Sequence, residues 1–251
     1  MSGRKSKARR RAVRDRPPHM VNGDYALRSA KAMLGLDLRE VALTRVTQFT
    51  VGWFRAAFDQ SLLISDLTMR GRGPAAAPNR RLFMELAVRL HWLHDLPKGD
   101  RPGAVDAALD WERKNREKTF DHMRQMGWES DVDLTEMREF VLNVTENGKV
   151  KDQAEKFAAA AYATEVKSAG LYRAWREESS YAHATGFLAG SYAPAEKNRW
   201  LGTDRPPVAD PDLETHRLTQ LFVVVMTCSL LRDEGVPEEV AAKIVDAYLR
   251  V

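Results

Sequence analysis

From Pro18 to the C-terminus, apolar residues recur at three- and four-residue intervals, and the alternation that marks a strand is almost absent. Gly and Pro fall where helices would end. A short helix is predicted over 24–34, stopping near Gly35. A long amphipathic helix follows from about Leu38 to Arg70, with Val41, Val46, Phe49, Trp53, Phe54, Phe58, Leu62 and Leu63 at helical spacing. RGRGPAAAPN (70–79) reads as a loop, and Asn79 as the N-cap of a third helix that runs to Asp95 and is ended by Pro97. Its apolar face is Leu82, Leu86, Leu90 and Leu93. After a break at 96–103, Ala104 to Met126 forms a highly charged helix expected on the outside, with Gly127 as its stop. Asp133 caps a helix predicted at 134–146, NGK (147–149) is a turn, and helices follow at about 151–163 and 165–191. Residues 193–210 are loop. Two helices, at about 212–234 and 237–250, are separated by Gly235 and Pro237. The pattern predicts an all-α fold: a single bundle of about eight or nine helices over 19–251, preceded by a flexible basic tail at 1–18.

Composition changes this picture little. A chain of 251 residues can bury one full-sized core, and 44% hydrophobic with 29% charged residues is ordinary for a globular protein. The longest apolar run, LFVVVMTCSLL (221–231), falls well short of the ~20 residues a membrane span needs, so a buried helix is expected there and no membrane partner. The N-terminus lacks the apolar core of a secretion signal, which points to a cytoplasmic protein. Cys228 lies inside the apolar run without a disulfide partner, and a thiol so buried is inert.

Charge matters more, once it is divided. Residues 1–16 carry eight Lys/Arg against one Asp, leaving 31 basic and 34 acidic residues in the rest. The basic character therefore belongs to an arm, with Arg4, Lys5, Lys7, Arg9, Arg10 and Arg11 at its centre. Such an arm suits nucleic acid, where it releases condensed counterions; the alternative is a solubilising tail.

The chemistry concentrates in YRAWREESSYAH (172–183). At about 100° per residue, Arg176, Ser179 and His183 fall about 40°, −20° and 20° from Tyr172, one narrow polar stripe on a helix otherwise packed through Leu171, Trp175, Ala182 and Phe187. The stripe is a binding or catalytic site, a satisfied polar network inside the bundle, or a solvated face. A partner is available on the third helix, where Arg81, Glu85 and Arg89 follow at i, i+4 and i+8 with Trp92 nearby. The row is either an exposed i, i+4 Arg–Glu pair or a site where Glu85 is expected to accept a hydrogen bond from His183 or Arg176. His91, His94 and Asp95 have metal-ligand spacing, yet their place at a helix C-terminus is explained by the dipole. With no P-loop, GxGxxG, GxSxG or Cys/His cluster, neither a metal nor a cofactor is predicted. His19 and His216 are expected at the surface, and the six tryptophans as core or interface anchors.

RGRGPAAAPNRRLFMELAVRLHWL and LYRAWREESSYAH resemble the two signatures of a bacterial helical domain of unknown function, Arg-x-x-x-Glu and a tyrosine followed by Ser-x-x-x-His. The resemblance covers about 40–195 and falls on Arg81, Glu85, Tyr172, Ser179 and His183. More distantly the chain is similar to HEPN domains, helical bundles of bacterial toxins and defence proteins, many of them metal-independent ribonucleases with an Arg-x(4–6)-His motif. Arg176 and His183 enclose six residues; Glu177 stands where that motif usually has Asn, Asp or His. This similarity implies RNA as substrate, His183 as general acid/base, Arg176 as the phosphate grip, and pairing of two copies as a homodimer. Two other functions fit the residues: a non-enzymatic interaction protein with a nucleic-acid-binding arm, or a bundle that binds a small molecule through Arg176.

Overall fold

The computed structural model describes residues 16–128, 135, 139, 141–164, 170–197 and 200–251. The arm residues Arg4, Lys5, Lys7, Arg9, Arg10 and Arg11 lie outside this set, as do Asp133 and positions 134, 136–138 and 140 of the helix predicted at 134–146. The fold is all-α, with ten α-helices and one two-stranded ladder among the described residues.

Helix α1 (Pro18–Leu34) starts six residues before the predicted position. Pro18 needs no N–H in a first turn, and Asn22, a poor helix former, is held by tertiary bonds to the Asp212 carbonyl and to Arg217. Helix α2 (Arg45–Met69) starts later than predicted, because Thr44 and Thr47 close a reciprocal capping box. The loop predicted at 70–79 is shorter than that. A 3₁₀ turn, Gly73–Ala76, leads straight into α3 (Ala77–Asp95), and Asn79 is not its cap but sits inside the first turn, donating to Gln60.

Helix α4 (Arg101–Gln125) buries its first half through Ala104, Val105, Ala107 and Ala108, so only its second half lies outside. Residues 141–145 are irregular where the sequence predicts a helix. The helix predicted at 151–163 is two, α5 (Gly148–Glu155) and α6 (Phe157–Thr164), broken by the extended backbone of Lys156. The helix predicted at 165–191 is also divided, into α7 (Leu171–Ala182) and α8 (Gly186–Tyr192). A short antiparallel pair follows, β1 (Ala195–Glu196) with β2 (Trp200–Leu201). Helices α9 (Glu214–Asp233) and α10 (Glu238–Leu249) end the chain, separated by Gly235 in the left-handed region at φ 85°.

Helix α3 is the axis of the bundle, packed by α2, α6, α7 and α9. It buries Phe83, Leu86, Leu90, Trp92 and Leu93, but Leu82 is 41% exposed and is no part of that face. No described helix is long and apolar enough to cross a membrane. The apolar run 221–231 belongs to α9, where Cys228 is buried and burial raises its thiol pKa.

Candidate functional site

The i, i+4 spacing on α3 puts Arg81 and Glu85 side by side, and α7 crosses over them. One oxygen of Glu85 accepts from Arg81 Nη2 at 3.0 Å and from the Trp175 indole at 2.9 Å. The other terminal nitrogen of Arg81 lies 2.5 Å from His183 Nε2. A guanidinium has no lone pair to offer, so Nε2 accepts and the ring proton sits on Nδ1. The result is a chain from a buried indole through a carboxylate and a guanidinium to an exposed imidazole. Glu85 therefore reaches His183 through Arg81, and not by the direct bond expected from the sequence.

Trp175 is the floor of this cluster. The guanidinium carbons of Arg81 and Arg176 lie 5.7 and 5.9 Å from its ring, and Tyr172 stacks beside it at 5.8 Å. Arg176 is exposed; it makes no ion pair and no hydrogen bond to His183 among the described residues. Ser179 turns back onto its own helix, donating to the Trp175 carbonyl at 2.7 Å. His183 itself lies past the end of α7, with an extended backbone at φ −118° and ψ 158°. Helical arithmetic thus places Tyr172, Arg176 and Ser179 correctly on α7 and fails for His183. The cause is local: Thr185 caps α8 and donates to the Ser180 carbonyl, which stops α7. Further along the same α3 row, Arg89 donates to the Gln153 carbonyl and lies over Trp92 and Phe157. Burial lowers its pKa to about 10, still cationic at neutral pH.

Behind the surface cluster is a second one that sequence reasoning missed. Arg80, one residue before Arg81, points inward and meets Glu178 of α7 at 2.7 Å, with both side chains 4% exposed. One of its terminal nitrogens donates to the Gly73 carbonyl at 2.6 Å. Burial pushes the Glu178 carboxyl up, and the Arg80 guanidinium opposes that shift. A signal was present: Glu178 follows Leu171 and Trp175 on the apolar stripe of α7, where an unpaired charge would be costly.

Deeper still, His216 is 1% exposed and not at the surface as expected. It falls on the inner face of α9 with Thr219, Gln220 and Val223, packs on Phe83, and bonds Ser61 at 2.8 Å. Gln220 donates to the same hydroxyl. Burial, with help from the Arg80 charge, lowers the His216 pKa to about 3, so the ring is neutral.

The remaining sequence candidates separate. Asp95 lies 3.4 Å from His91 and 3.5 Å from His94, and His94 bonds Ser229. No group of three or more His, Cys, Asp or Glu among the described residues is placed to hold a metal. Trp92 and Trp175 are buried anchors, but Trp111, Trp128 and Trp200 are exposed, the last by 70%.

No protein-family model matches this chain, and neither a curated protein nor a solved structure does. What the geometry defines is an all-α bundle with a hydrogen-bonded Trp175–Glu85–Arg81–His183 chain opening at the surface between α3 and α7.

Proposed function

We propose that this protein acts on RNA, and that a phosphodiester meets it where Arg81 and His183 touch. The observation that supports this reading is the 2.5 Å contact between Arg81 and the acceptor nitrogen of an exposed histidine. An arriving phosphate competes for the guanidinium, whose planar fork matches its oxygens. Once Arg81 turns its hydrogen bond to a phosphoryl oxygen, the Nε2 lone pair is released as a base. His183 then takes the proton of the 2′-hydroxyl as that oxygen bonds to phosphorus. The bond from phosphorus to the 5′ oxygen breaks, and the proton passes from His183 to that leaving oxygen. Glu85 and Trp175 hold Arg81 in place throughout. Arg176, exposed and without a carboxylate partner among the described residues, adds positive charge along the approach.

Cleavage of single-stranded RNA in the presence of EDTA tests this. Arg81→Ala and His183→Ala, each with unchanged circular dichroism, are expected to lose the activity; undiminished cleavage in either would reject the assignment. A second reading, binding without cleavage, has one observation in its favour. Among the described residues no other titratable group besides Glu85 is hydrogen-bonded to Arg81 or His183, so one imidazole must serve both proton transfers. RNA affinity that depends on Arg81 in a wild-type protein with no cleavage would select it.

A further inference from the structure

We infer that the buried Arg80–Glu178 pair is a positioning element for the surface contact, setting the register of α7 on α3 so that His183 meets Arg81. The inference rests on the reading of that contact as the phosphate site, but its test needs no RNA.

Arg80 and Arg81 are consecutive on α3, the first buried and the second partly exposed, and both reach across to α7 and the residue just beyond it. Their partners, Glu178 and His183, lie five residues apart on and just beyond α7. The other side chains that α7 buries are Leu171 and Trp175. Apolar burial is non-directional and tolerates sliding, whereas an ion pair at 2.7 Å does not. A shift of α7 by a single residue moves it about 1.5 Å along its axis, enough to break a hydrogen bond. The Trp175–Glu85 bond is also directional, but Glu85 is partly exposed and shares the same oxygen with Arg81. Arg80 is itself fixed from a third direction by the Gly73 carbonyl, which ties the turn before α3 to the pair. Neither Arg80 nor Glu178 touches the exposed imidazole, so any influence on it passes through helix position.

Removing one partner leaves a buried charge and threatens the fold, so the decisive variant is the double change Arg80→Met with Glu178→Leu. Replacing a buried ion pair by apolar groups of similar volume commonly preserves stability, and here it removes the directional pin together with the Arg80 bond to the Gly73 carbonyl. The readout is acylation of His183 by diethyl pyrocarbonate at constant pH, followed by mass spectrometry, because the reagent needs an imidazole lone pair and Arg81 occupies Nε2. In the wild type His183 is expected to react slowly, and in Arg81→Ala about tenfold faster, the factor that one hydrogen bond to a charged group is worth. The double variant is expected to match Arg81→Ala while keeping wild-type circular dichroism. Ile244→Val, a core change on α10 that loosens the bundle elsewhere, is expected to leave the rate unchanged. A folded double variant that reacts at the wild-type rate would overturn the inference, as would equal acceleration in Ile244→Val. Failure of RNA cleavage in the wild type would instead count against the proposed function and leave this result standing.

Discussion

His183 and His216 are the same residue in opposite surroundings. His183 is exposed, beyond the end of a helix, and accepts from an arginine that is itself held by a carboxylate. His216 is sealed among α2, α3 and α9, bonded to a serine, and so desolvated that it stays neutral to about pH 3. Each ring is oriented by a partner from another helix, but only His183 keeps solvent access. An imidazole in the interior contributes to packing and to pH sensitivity of the fold; one at the rim is available to a ligand. The arginines divide the same way, with Arg80 inside and Arg81 outside.

The sharpest way to break the comparison is to remove one partner from each layer. Glu178→Ala leaves Arg80 buried without a counter-charge and is expected to cost about 3–5 kcal/mol in urea denaturation. If it costs no more than a surface substitution, the inner layer is not what holds α7 to α3.

The next effect is in pH. Below the ordinary imidazole value of 6.5 the unfolded chain takes up a proton at His216, and the folded protein does not until about pH 3. The stability is intact above that upper value and declines as pH falls through the window, by about 1.4 kcal/mol per pH unit. His216→Gln is expected to flatten the slope of stability against pH in this range, and an unchanged slope would place the acid sensitivity elsewhere.

Much of the fold was legible in the sequence. The all-α class, the order of the helices and the Gly-marked ends at Gly35, Gly127 and Gly235 follow from period and punctuation. So does the juxtaposition of the Arg81–Glu85 row with the stretch that ends at His183, although not its wiring. What escaped depended on competition between bonds. Ser180 and Thr185 trade helix hydrogen bonds for a cap, and this break moves His183 off the α7 stripe. The helix beginning at Pro18 draws on Asn22, whose partners lie 190 and 195 residues away. The apolar stripe of α7 marks Glu178 as an inward position, but its partner Arg80 lies 98 residues away and no local pattern names it. His216 escaped for a simpler reason: a lone histidine is equally compatible with either face until its neighbours are known.

Smaller effects sharpen the outer layer. Arg81→Ala and His183→Ala are each expected to lower stability by less than about 1 kcal/mol, as partly exposed pairs do. A loss comparable with that of Glu178→Ala would make the outer cluster structural and not functional. Smallest of all, deletion of residues 2–16 is expected to leave stability unchanged and to make the salt slope of RNA binding shallower, by about 0.7 for each phosphate of a single strand that the arm neutralises. An identical salt dependence with and without those residues would mean that the arm neutralises no phosphates.

The most direct test of the central claim follows the His183 ring nitrogens by NMR during titration with a short 2′-O-methyl RNA, which binds but cannot be cleaved. Transfer of Arg81 from Nε2 to the phosphate is expected to shift the Nε2 resonance saturably, with the same midpoint as binding, and the shift is expected to vanish in Arg81→Ala. An oligonucleotide that binds the protein without moving the His183 nitrogens would contradict it.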